Sequence, residues 1–247
     1  MNRNYKKIVV VLLIMLYGSN CFNCFNLLVY GKNKSAFKNI TICIDPGHQE
    51  KGNSQTESIE PNSKIKKAKV TSGTTGIYTR VPEYVLNLKI SMKIKKILIT
   101  DGFNVVMTRD KNEVNLSNID RANIANKAKA NLFLRIHADG STNKNTNGIS
   151  ILYPAENLKN KEISRISKII SQEVLNSLIK STAAKYNGVN KRYDMTGFNW
   201  SKVPTILVEA GFMSNLKEDK LLENNDYENK IAFGIVKGIE KYLLDLK

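Results

Sequence analysis

The sequence predicts a single α/β domain, a mostly parallel central sheet with helices on both faces. Two observations carry this. Short β-branched apolar runs alternate with longer stretches whose apolar residues recur at helical spacing. The short runs are apolar throughout rather than alternating in polarity, as strands covered on both faces are. The 247 residues suit one sizeable domain, and neither an internal repeat nor a second domain is visible.

Residues 1–31 stand apart from this pattern. Arg3, Lys6 and Lys7 precede IVVVLLIMLYGSNCFNCFNLLVYG, residues 8–31, which carries no charge. A basic start and an apolar run read as an export signal. The run is also long enough to span a bilayer. Cleavage after Gly31 and retention as an N-terminal membrane anchor therefore both stay open, and the localisation expected is exported. Residues 32–38, KNKSAFK, read as a short tether, and residues 39–247 as the folded domain.

Within that domain NITICID, residues 39–45, is a buried strand. Residues 49–79 have no period and many Ser, Thr, Gly and Lys, which predicts a long loop. Pro82 opens a helix that runs to Thr100 and turns Leu86, Ile90, Ile94 and Leu98 inward; Gly102 ends it. FNVVMT is the next strand, followed by a helix over 116–129 with Ser117 near its start. LFLRIH (132–137) and GISILYP (148–154) are strands. A long helix over 157–180 carries Ile163, Ile166, Ile170, Val174 and Leu178. After a second irregular stretch comes the buried strand VPTILVEAGF (203–212). Two helices close the chain, the last from Asp226 with Ile231, Ile235, Ile239 and Leu243 inward.

Charge narrows the partners. Residues 32–247 hold 35 Lys and Arg against 22 Asp and Glu, a net +13. Such a surface attracts polyanions. For an exported chain these are anionic wall polymers or lipid head groups, and no nucleic acid is expected; a lysine-rich composition without a partner is the plain alternative. Cys43 stands alone in the domain, so no disulfide framework exists, and its apolar setting marks a packing residue rather than a nucleophile.

The chain has only two histidines, His48 and His137, and both sit at predicted strand ends. In open α/β sheets chemistry gathers beyond the carboxyl ends of the strands. Either histidine alone would read as structural; both in such places point to a shared site, and neutral imidazole is a common metal ligand. Glu83, in the first turn of its helix, shares a face with Asn87 and Ile90. An acid there can simply complement the helix dipole, but it can equally complete two His and one carboxylate around an open position, as in a catalytic zinc site. Glu209 ends an apolar strand, where an acid is costly to bury without a partner or a task. It is either a salt-bridge residue or a general base.

DPGH, the Glu of RVPEYVLNL, the RIHAD strand end and LVEAGF together resemble the bacterial zinc-dependent N-acetylmuramoyl-L-alanine amidases, in family order, from about Ile40 to the last helix. DPGHQ, SGTTG, LRIHADGS, TGFNW and VPTILVEAGFMSN are similar to the CwlD-type spore-cortex amidases. The resemblance implies one α/β domain. It implies Zn2+ held by His48, Glu83 and His137, with Glu209 catalytic. The substrate implied is cortex-type peptidoglycan, cut between the lactyl group and L-Ala as the first step toward the muramic-δ-lactam needed for germination. The long segment 49–79 departs from shorter-looped members. Because it leads directly into Glu83, it is either a mobile stretch that an activating protein partner orders or a solvated excursion. A zinc peptidase cutting within the stem peptides and a non-catalytic wall-binding protein are the competing functions.

Overall fold

The first apolar run forms β1 (Thr41–Pro46), and the computed structural model describes residues 34–156 and 160–245 around it. Next come β2 (Asn53–Ser58), β3 (Lys66–Val70), α1 (Glu83–Thr100), β4 (Asn104–Met107) and α2 (Asn118–Lys127). Then follow β5 (Leu132–Asp139), β6 (Ile149–Pro154), α3 (Lys161–Thr182), β7 (Tyr186–Arg192) and α4 (Thr196–Asn199). β8 (Thr205–Phe212), α5 (Leu216–Leu222) and α6 (Asn225–Asp245) complete the chain. The export or anchor segment predicted at 1–31 lies outside the described residues. Among the described residues no helix is long and apolar enough to cross a membrane.

The main sheet has the order β4-β1-β5-β8-β6-β7. Neighbours are parallel except β6 and β8, so the expected mostly parallel sheet is what forms. Strand parity sorts its two faces. Ile42, Ile44, Leu134, Ile136, Ile206 and Val208 join the main core with the apolar faces of α1, α3 and α6. Cys43 and Phe133 point the other way, onto Ala122 and Ala125 of α2. The second face is thinly covered, by the ten residues of α2 and the four of α4. His137 and Glu209 share parity with Phe133 and Leu207, so they emerge on this thin face, where the strand ends stay open.

On α1, Leu86, Ile90, Ile94 and Leu98 are all fully buried, as their spacing predicts. Each such side chain contributes about 1.5–3 kcal/mol of apolar burial. Ser117 is the N-cap of α2 in a complete capping box with Asp120.

Three expectations need correction. The segment 49–79 is not a plain loop: β2 and β3 pair antiparallel within it. Its alternation is among polar residues and lysines, which carries no hydrophobic period. The second irregular stretch likewise contains β7, a mostly exposed edge strand with little apolar content. The first turns of α3 bury Ser164 and Ser167 and pack the half-buried Ile166 against the core. Ser164 Oγ donates to the Pro154 carbonyl (2.9 Å) and Ser167 Oγ accepts from the Thr205 amide (2.8 Å), so small hydroxyls seat the helix on the sheet. Finally, packing begins inside the tether: Phe37 is buried and stacks on Phe103 with ring centroids 4.3 Å apart.

Candidate metal centre

His48 follows β1 across a Pro-Gly turn and adopts φ 60°, a left-handed conformation unusual for a residue with a side chain. Three groups hold it there. Its Nδ1 lies 2.8 Å from the Thr71 carbonyl, which orients the ring with Nε2 inward. The Arg121 guanidinium donates to the His48 carbonyl (3.0 Å) and the Pro46 carbonyl (2.9 Å). Arg109 donates to the carbonyls of Pro46 (2.9 Å) and Gly47 (3.0 Å). Gly47 is required by close approach: a Cβ there would fall 2.3 Å from the His137 ring.

Glu83, at the start of α1, is buried. Its Oε2 accepts from the Thr74 amide (2.9 Å). Its Oε1 lies 3.2 Å from His48 Nε2 and 3.1 Å from His137 Nδ1. Asn87 Nδ2 (3.1 Å) and the Ala138 amide (3.2 Å) also donate to Oε1. One ligand atom from each of His48, Glu83 and His137 falls within 4.8 Å of the other two. The two rings meet edge to face with centroids 4.7 Å apart.

The protonation states fit a cation. Burial would raise the Glu83 carboxyl, but hydrogen bonds from His137 and His48 overcome it and hold the group well below the usual carboxylate range. Burial drives His137 down to about 4 despite the neighbouring Glu83, so at neutral pH it is an uncharged donor. With His48 Nδ1 on the Thr71 carbonyl, its Nε2 faces the Glu83 carboxylate at 3.2 Å, a contact that either a proton or a metal ion between the two satisfies. Two imidazoles and a carboxylate in a partly open cluster are the donors that zinc takes when a position is left for chemistry.

Glu209 lies on β8 in register with His137 on β5. Parallel partners project to the same side, so its carboxyl stands beside the cluster rather than in it. Burial first, then the Glu83 and Asp139 charges, raise its pKa well above the ordinary value. Its Oε2 is buried with no hydrogen-bond partner among the described residues.

Sequence reasoning missed the support beneath the site. Asp45, the first residue of DPGH, is fully buried. It accepts from Arg121 (2.8 Å), Arg135 (2.8 Å) and Thr108 (2.6 Å). Burial favours its neutral form, but the two guanidiniums win and keep it far below the usual carboxylate range. The available signal was Arg135, a charge in the middle of the apolar run LFLRIH. Cys43 is a free buried thiol pushed upward by burial, as expected of a packing residue.

A family profile described as N-acetylmuramoyl-L-alanine amidase matches residues 42–241. The chain belongs to that family. It is therefore a hydrolase of the peptidoglycan amidase class. The chain is similar to an N-acetylmuramoyl-L-alanine amidase of Mycobacterium tuberculosis, 24% identical, with 83% of this chain and 86% of the relative covered. The crystal structure of the amidase Ami1 from Mycobacterium smegmatis superposes with TM-score 0.75 at 25% identity, covering 85% of this chain and 99% of that one. The CwlD amidase of Clostridioides difficile, solved in complex with the GerS lipoprotein, matches with TM-score 0.64 at 26% identity, covering 85% and 100%. The CwlD-like resemblance read from DPGHQ and TGFNW thus has a structural counterpart.

Proposed function

We propose that this amidase is zinc-dependent, that His48, Glu83 and His137 hold the ion, and that Glu209 is the general acid-base of the reaction. The convergence of His48 Nε2 and His137 Nδ1 on Glu83 Oε1 carries this reading. An ion in that donor set supplies Lewis-acid charge and a nucleophilic water at neutral pH. Glu209 takes the proton from the attacking water and returns it to the L-Ala amine that leaves. Burial shifts its pKa upward, the direction that a base which later acts as an acid requires. Arg121, Arg109 and Thr71 fix the His48 loop, so the ligands are held in place before substrate arrives.

The substrate we propose is cortex-type peptidoglycan, and the product a muramic acid freed of its peptide and ready for lactam formation. The CwlD-like motifs and the CwlD structure support this reading. Residues 1–31 direct the chain outward, as a cleaved signal or a membrane anchor, toward the wall that a cell wall amidase acts on. That structure contains a lipoprotein partner, which favours an activating protein for this chain too. The segment leading into Glu83 is hydrogen-bonded within the chain. Gly76 and Ile77 are hydrogen-bonded to Val81 and Met213, and the buried Asp219 accepts from the Tyr78 and Thr79 amides.

Metal analysis tests the ligand assignment. The wild-type protein should carry one zinc per chain, and His48→Ala and His137→Ala should each fall to a small fraction of that. Full occupancy in either variant would remove that histidine from the site.

A further inference from the structure

The metal cluster opens into a groove of about 380 Å3 that includes the His48 and His137 rings and is walled by Lys67 of β3 and by Arg192, Asp194 and Thr196. Two other cavities, lined around Ile77, Lys144 and Ser214, include neither imidazole. A scissile bond held at the two imidazoles has this groove beside it.

Its charges are arranged in an unusual way. Arg192 holds Asp194 through two hydrogen bonds, Nε to Oδ1 at 2.8 Å and one terminal nitrogen to Oδ2 at 2.9 Å. Lys67 reaches across from the hairpin to the Asp194 carbonyl (2.5 Å) and approaches Oδ2 (3.5 Å). Two cations thus share one anion. Arg135, deeper in the wall, is already committed to Asp45 and to Asn118. The pair keeps one net positive charge facing the groove. The three side chains are close to half exposed, at 46%, 44% and 49% for Lys67, Arg192 and Asp194, so solvent and substrate both reach them. Arg192 also stands close enough to Glu209 and Asp139 to feel their charges, which places it at the working end of the groove.

A muramoyl peptide is charged on one side only. N-acetylated sugars carry no ionised group, whereas the residue after L-Ala in the stem brings a carboxylate. We infer that Arg192 and Lys67 form the subsite for that stem carboxylate, and that they orient the leaving peptide relative to Glu209. Asp194 occupies the place of the substrate carboxylate in the free enzyme. Its forked contact with Arg192 shows the geometry an incoming carboxylate would adopt. The subsite rests on the amidase reading and on the reaction taking place at the two imidazoles, but itself uses no metal ligand.

Binding tests it without turnover. Glu209→Gln protein is titrated by calorimetry with N-acetylmuramoyl-L-Ala-D-isoglutamate and with the corresponding isoglutamine, which differ only in carboxylate against carboxamide. The carboxylate form should bind at least about tenfold tighter, as expected for a charge-assisted contact. Adding Arg192→Ala should bring the ratio close to one, and Arg192→Lys should restore part of it. Far-ultraviolet dichroism and a melting curve confirm that the variants stay folded. Equal binding of the two ligands, a ratio untouched by Arg192→Ala, or no binding of either ligand would overturn the subsite. Loss of zinc from the same protein with the ratio intact would instead overturn the metal assignment alone.

Discussion

Glu209 is the residue on which the proposed chemistry turns. It combines an unpartnered buried oxygen with a raised pKa, in register with a proposed ligand. Glu209→Gln preserves shape and removes the proton carrier. We expect it to retain zinc and fold while kcat falls by about 10²–10⁴, the usual contribution of a general acid-base group. Activity within a few-fold of wild type would leave Glu209 with a structural task only. Asp45 makes a different prediction. It is a buried anion shared by two buried guanidiniums, and Asp45→Asn would strand both. Removing one partner of such a pair costs about 3–5 kcal/mol, which urea denaturation can measure. Its folded pKa lies below its unfolded value of about 3.9. The stability it contributes is therefore present above that pH and is lost only as pH falls further, through the folded value. The Asp45→Asn deficit should accordingly be the same at pH 7 and pH 5. A deficit that grows from pH 7 to pH 5 would mean that the folded pKa of Asp45 is raised rather than lowered.

At the scale of the elements, the long helices and buried strands were legible because each shows one clear period. Leu86, Ile90, Ile94 and Leu98 are the plainest example. The site residues were legible for a simpler reason: a chain with two histidines leaves few choices, and both stand at strand ends. What stayed hidden has physical causes. The hairpin β2–β3 owes its place to polar anchors: Glu57 accepts from the Asn118 and Ile119 amides at the start of α2, and the Trp200 indole donates to the Ser58 carbonyl. Long-range polar contacts of that kind leave no periodic trace. Nor does the close packing of α3 against α6. At Gly238 an added Cβ would sit 2.3 Å from the Val174 Cα, so the two backbones approach where a side chain cannot fit. Gly238→Ala ordinarily favours a helix by roughly 1 kcal/mol. Here we expect the clash to win and to destabilise the protein by about 1–3 kcal/mol. A higher melting temperature for that variant would show that the helices can separate at little cost.

For the whole molecule, the thick and thin faces of one sheet divide the labour. The side carrying α1, α3 and α6 holds the main apolar core, and the side covered by the short α2 and α4 leaves room for a substrate at the strand ends. Buried arginines brace the loop between them, so the site is set on rigid elements. The +13 charge of residues 32–247 then favours approach to an anionic wall. The most direct test of the central claim is one digestion of purified cortex peptidoglycan by the metal-loaded enzyme, with products identified by mass and by their new N-termini. Hydrolysis should release peptides that begin with L-Ala and leave muramic acid bare, stop when a chelator is added, and resume with zinc. New N-termini from a later stem residue, or turnover indifferent to the chelator, would contradict it.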